Sequence, residues 1–172
     1  MIIDSHCHLE YEPMSLALEE TIARANKNGV KYLLTISTTD KSLEKILKIT
    51  HDFDCVYGTY GIHPHEAKNH QNIKSKDIIK KIALSNKIIG IGETGLDFYY
   101  NHSEKKDQIK SFEEHIISAQ ILNLPLIVHT RSAEEETLNL LKVIFLMSDK
   151  NLTVCIILLG SLLLPLKGTG AR

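Results

Sequence analysis

The chain has 172 residues, 43% of them hydrophobic, which suffices for one domain with a sizeable core. Its formal net charge of -1 excludes a basic field that would draw it non-specifically to nucleic acid or membrane. Its three cysteines, Cys7, Cys55 and Cys155, are an odd number without paired spacing; this argues against a disulfide framework and for a reducing compartment.

In chain order, apolar runs alternate with segments of helical period. Ile2 and Ile3 open a first strand; Met1 to Asp4 carries no basic run, so no signal peptide is expected and the chain reads as cytoplasmic. Leu18, Ile22 and Ala25 mark one face of a helix ended by Gly29 as its C′ residue. Tyr32 to Ile36 reads as a second strand, and Leu43, Ile46, Leu47 and Thr50 mark a second helix. Val56 to Tyr60 is the third strand, followed by a helix with Ile78, Ile79 and Ile82. Ile88 to Ile91 is the fourth, and Ile109, Phe112 and Ile116 give the next helix its buried face. Pro125 breaks the chain before a fifth strand, Leu126 to Val128. Ser132-Ala133-Glu134-Glu135 has a capping-box pattern, starting a fifth helix with Leu138 and Leu141 inside.

From Val143 the composition changes, with four charged residues in the last thirty positions. Val154 to Leu166 is nearly all apolar but shorter than the ~20 residues of a membrane span, and it contains Pro165. Thr153 to Leu159 reads as a buried sixth strand, whereas 162–172 shows neither an amphipathic helix nor an eighth-strand signal.

Strand–helix alternation predicts parallel strands joined by helices, as a doubly wound open sheet or as a (β/α)8 barrel. The barrel is favoured because four His/Glu motifs follow the first, third, fourth and fifth strands, and a closing ring brings such separated strand ends around one point. His6 and His8, two apart in extended chain, point to one side as a metal pair, with Asp4 and Ser5 as candidate supporting partners and Cys7 facing away. Glu93, set among Gly90, Gly92 and Gly95, is placed to bridge two cations or to orient a water, against the alternative of a solvated turn residue. His129 ends the fifth strand, and Arg131 beside it suits an anionic group such as phosphate. His63 and His65 flank Pro64 and divide between substrate contact and loop structure, while Asp97 orients neighbouring groups. His51, His70, His102 and His115 read as surface or helix residues. Nitrogen and carboxylate donors without a thiolate set admit Zn²⁺, Mn²⁺, Mg²⁺ or Fe²⁺.

Four segments together resemble the TatD family of metal-dependent deoxyribonucleases. They are Asp4-Ser5-His6-Cys7-His8, Gly61-Ile62-His63-Pro64-His65-Glu66-Ala67, Ile91-Gly92-Glu93-Thr94-Gly95-Leu96-Asp97 and Pro125-Leu126-Ile127-Val128-His129-Thr130-Arg131. The resemblance covers residues 1 to about 142. It implies a TIM barrel of the amidohydrolase type, two divalent metal ions (Mg, Mn or Zn), and DNA as substrate, cleaved by 3′–5′ exonuclease-like hydrolysis of phosphodiester bonds. No membrane and no obligate protein partner are implied. Carried over by position, His6 and His8 hold the first metal, Glu93 bridges both and is catalytic, and His129 holds the second; His63, His65 and Arg131 are the substrate-binding candidates. The family also draws a His from its sixth strand and an Asp from its eighth, yet no His follows His129 and no Asp follows Asp149. The expectation is therefore an incomplete barrel of about five to six strand–helix units. Residues 1–142 would be its N-terminal part and 143–172 an aberrant apolar tail, as from truncation or frameshift after about residue 142. The alternatives are an inactive remnant that binds metal weakly and an ester or amide hydrolase on the same fold.

Overall fold

The computed structural model describes residues 1–146 and 154–158. Six strands, β1 (Ile2–Cys7), β2 (Val30–Thr35), β3 (Val56–Tyr60), β4 (Ile88–Asp97), β5 (Leu126–Arg131) and β6 (Val154–Leu158), form one sheet in sequential order. Every neighbouring pair is parallel. Helices α1 (Leu18–Lys27), α2 (Asp40–Asp52), α3 (Ser75–Ile82), α4 (Lys105–Leu122) and α5 (Glu134–Leu146) make the crossovers. A doubly wound sheet reverses its strand order at a switch point; this sheet has no reversal.

The sheet also curls. In a flat sheet β1 and β4 would stand three spacings, about 14 Å, apart. Instead the His6 ring at the end of β1 lies 3.7 Å from the Glu93 carboxylate on β4. The described residues therefore form an incomplete (β/α) barrel, with strand ends gathered at its C-terminal rim.

The core lies between the strands and the helices that cross them. Ile46, Ile78, Ile91, Phe112, Ile116 and Leu126 are fully buried there. A smaller cluster of Leu9, Ile22, Leu33, Ile49 and Val56 seats α1. On the other face Ile3, Tyr32 and Ile89 stay exposed and line an open apolar concavity.

Several expectations need correction. β4 continues to Asp97, well past Ile91, so the Glu93 motif lies within the strand. Leu138 is 47% exposed, and the inward line of α5 is Ala133, Thr137 and Leu141. Ser132 is not the extended N-cap that a capping box requires: its φ is 51°, and the first helical bond runs from Thr137 N–H to Ala133 O. His115 is a helix residue but no surface one; it is fully buried on α4. Gly29 does end α1 in the left-handed region, at φ 88°. The reading of 162–172 as lacking an amphipathic helix and an eighth strand, and most of that of 143–172 as a tail, fall outside the described residues. Among the described residues no helix is long and apolar enough to cross a membrane.

Candidate metal centre

Two bulges aim the central groups. Between Ile91 and Thr94, β4 advances three residues while β5 advances two, from Leu126 to Val128. The extra residue rotates the strand locally, and Glu93 sits within it. Gly92 and Gly95 take φ of 134° and 133° to permit this, and a Cβ on Gly95 would strike the His129 carbonyl. β1 shows the same count, three residues from Asp4 to Cys7 against two from Leu33 to Thr35, and the extra residue turns His6 to the rim.

Glu93 is 5% exposed, so the solvated-turn alternative is excluded. Its two oxygens face different partners. Oε2 lies 3.7 Å from His6 Nε2 and 4.0 Å from His8 Nε2. Oε1 lies 3.1 Å from His129 Nδ1 and 4.0 Å from His63 Nε2. Two groups of three donors thus share one carboxylate: His6, His8 and Glu93, and His63, Glu93 and His129. Donors ~2.1 Å from one ion stand at most about 4.2 Å apart; both groups meet that spacing around Glu93.

Hydrogen bonds fix which ring nitrogens face inward. His8 Nδ1 donates to Ile36 O at 3.0 Å and approaches Glu10 Oε1 at 3.3 Å, leaving Nε2 for the centre. The Glu10 contact raises the His8 pKa against the effect of burial. Glu10 was not a sequence candidate; it is fully buried, and Thr35 Oγ1 donates to its other oxygen at 2.7 Å. It fills the role expected of Asp4 and Ser5, since among the described residues Asp4 accepts only from the His6 backbone N–H, and Ser5 is exposed. Among the described residues the buried Nδ1 of His6 has no hydrogen-bond partner, and burial lowers its pKa.

His129 spans two carboxylates, with Nδ1 toward Glu93 and Nε2 3.2 Å from Asp97 Oδ2. With a cation at Glu93, the Nδ1 lone pair becomes a donor while Asp97 keeps the Nε2 proton, the arrangement by which carboxylates orient ligating imidazoles. Burial opposes ionisation of Glu93, but the bond to His129 and the nearby His63, His129 and His6 rings hold its carboxyl below the ordinary range. An ionised carboxylate amid imidazoles is a donor set that fits a borderline divalent cation.

Of the two roles open for His63, the geometry shows the loop one. Its Nδ1 accepts from His65 N–H, which caps the 3₁₀ turn Pro64–Asn69. The neutral ring then carries its proton on Nε2, 3.3 Å from His129 Nδ1, as a donor into the cleft. Burial pushes its pKa down to about 3, so it is neutral at ordinary pH. His65 donates to Asp97 Oδ2 at 2.8 Å. Asp97 is fully buried, and its Oδ1 accepts from the Tyr99 and Tyr100 N–H groups at 3.0 Å each, the orienting role read for it. Arg131 seats its guanidinium over the Tyr99 and Tyr100 rings at 4.2 and 4.4 Å.

Cys7 faces away from the centre and bonds to Leu34 O at 3.3 Å. Burial pushes its thiol up to about 12, so it offers no thiolate. His51 is exposed, as read, whereas His70 is half-buried rather than on the surface. His102, also exposed, lies 4.5 Å from the His65 ring and so borders the site, which its spacing did not signal. A cleft of about 470 Å³ opens over the centre, walled by His6, His8, Tyr11, Thr38, His63 and Glu93 among others.

Comparison with known proteins bears on this cluster. The family profile described as TatD related DNase matches residues 3–148. A protein of Buchnera aphidicola named as an uncharacterized metal-dependent hydrolase is 36% identical over 149 residues, covering 82% of this chain and 56% of the relative. A Shigella flexneri protein named 3'-5' ssDNA/RNA exonuclease TatD is 32% identical over 124 residues, covering 72% of this chain and 47% of the relative. The crystal structure of a TatD homolog from Escherichia coli K12 superposes with a TM-score of 0.75 at 24% identity, over 83% of this chain and 55% of that one. The chain thus spans about half the length of the relatives it matches.

Proposed function

The chain belongs to the TatD-related DNase family, a family of metal-dependent hydrolases, and from that premise we propose that it hydrolyses phosphodiester bonds in DNA from the 3′ end. The observation that carries this reading is the division of Glu93: one oxygen toward His6 and His8, the other toward His129. In it, His6, His8 and Glu93 would hold one divalent ion and Glu93 and His129 would hold a second, Mg²⁺, Mn²⁺ or Zn²⁺. Such ions polarise a phosphoryl oxygen and lower the pKa of water.

The remaining work falls to the side chains. Glu93, held ionised with its two oxygens turned to the two ion sites, would keep the ions together around the attacking water, whose proton their charge makes acidic. His63 presents its Nε2–H to a phosphoryl oxygen, and the fixed charge of Arg131 favours the anionic strand. Asp97 and Glu10 hold the His129 and His8 rings so that lone pairs, not protons, face the cleft. His65 serves through its bond to Asp97. A relative named as a single-strand exonuclease supports DNA as substrate. A reducing cytoplasm suits the free thiols of Cys7 and Cys55.

The test is digestion of a 5′-labelled single strand with Mn²⁺ or Mg²⁺. Stepwise shortening that EDTA and Glu93→Gln both abolish is expected. Shortening that survives Glu93→Gln overturns the reading, as does turnover of acyl esters but not of DNA.

A further inference from the structure

Beside the proposed metal centre stands a group of aromatic rings that the hydrolytic chemistry does not use. Tyr99 and Tyr100, just past β4, are 60% and 49% exposed, two open aromatic side chains next to each other. These are held from below: Arg131 lies over both, and their own N–H groups are tied to Asp97 Oδ1.

The rings are continuous with the centre. Tyr99 meets Tyr100 edge-on at 4.9 Å, and Tyr100 stacks on His102 at 5.5 Å with 17° between planes. His102 lies 4.5 Å from His65, His65 4.5 Å from His63, and His63 4.5 Å from His129. Asp97 joins the two ends, holding Tyr99 and Tyr100 through one oxygen and His65 and His129 through the other. A group bound on the outer rings is therefore fixed in register with the centre.

We propose that Tyr99, Tyr100 and His102 form a ledge that stacks a nucleobase of a single strand whose phosphate enters the cleft. The proposal rests on the nuclease reading above. Every base has a π-face, so such a ledge binds without sequence preference. Arg131 adds positive charge under the rings, which suits a polyanion, whereas the net charge of -1 gives no general attraction for one. Duplex bases are already stacked, so the ledge favours unpaired ends.

The experiment compares an octanucleotide with an abasic strand of the same phosphate count, by fluorescence anisotropy with the full chain in EDTA. The base-bearing strand should bind about five-fold to 100-fold more tightly. Tyr99→Ala/Tyr100→Ala should erase that preference, and Tyr99→Phe/Tyr100→Phe should keep it because the rings remain. Equal affinity of the wild-type chain for both strands, or an unchanged preference in the Ala variant, overturns the ledge. Metal-dependent shortening of the same strand separates the two readings. A strand that is cut without base preference sinks the ledge alone, while one bound with base preference but never cut sinks the nuclease.

Discussion

His115→Phe tests whether a buried neutral imidazole holds the loop that carries His63. On α4, His115 Nδ1 donates to Ser111 O at 2.7 Å and Nε2 accepts from Ile62 N–H at 3.1 Å. Both nitrogens are used by a single neutral tautomer, and full burial pushes the pKa down to about 4. Phe fills similar space but leaves the Ile62 N–H without its acceptor, which costs roughly 1–3 kcal/mol at neutral pH. The pH dependence then separates this from simple repacking. The folded pKa lies below the unfolded value, so the unfolded chain binds the proton first. The wild-type stability contribution is complete above pH about 6.5 and is lost as pH falls toward about 4. From the two pKa values, His115 alone loses about 2 kcal/mol between pH 7.5 and pH 5. Urea unfolding in EDTA at both pH values should show Phe clearly less stable at pH 7.5 and nearly equal to wild type at pH 5. Parallel loss of stability in both proteins would refute the reasoning, because His115 would then contribute nothing to the acid limb.

Asp97→Asn should cut divalent-ion affinity about 10-fold to 100-fold, measured by isothermal titration calorimetry, because it loosens the His129 ring. Glu10→Gln should lower the His8 pKa, since the Glu10 contact is the largest influence raising it; a two-dimensional NMR titration without metal reads the direction. Gly95→Ala should destabilise the fold by at least about 2 kcal/mol in chemical denaturation, from the collision with the His129 carbonyl and the φ of 133°.

The order of elements was legible because apolar runs and turn residues mark each strand and helix without reference to distant parts. The gathering of His6, His8, Glu93 and His129 was legible for a related reason: each lies in, or just past, the C-terminal half of its strand, where a curled parallel sheet converges. What was illegible depended on contacts across the sheet. Glu10 follows His8 by two residues, yet only the fold shows it buried against Thr35 and turned to the His8 ring. His115 lies three residues after Phe112, on the buried face of α4, so its position carried a signal that its polarity masked. Leu138 misled for the converse reason: the small residues Ala133 and Thr137 face the sheet, and the larger leucine is left outside. The bulges at Glu93 and His6 come from register against a neighbouring strand, which the glycines around Glu93 permit but do not specify.

The division of Glu93 between two ions is tested most directly by anomalous scattering from a crystal of this chain grown with Mn²⁺. The account predicts one peak shared by Glu93 Oε2 and the Nε2 atoms of His6 and His8, and a second shared by Glu93 Oε1 and His129 Nδ1. Manganese bound elsewhere, with the Glu93 carboxylate contacting no ion, would contradict it.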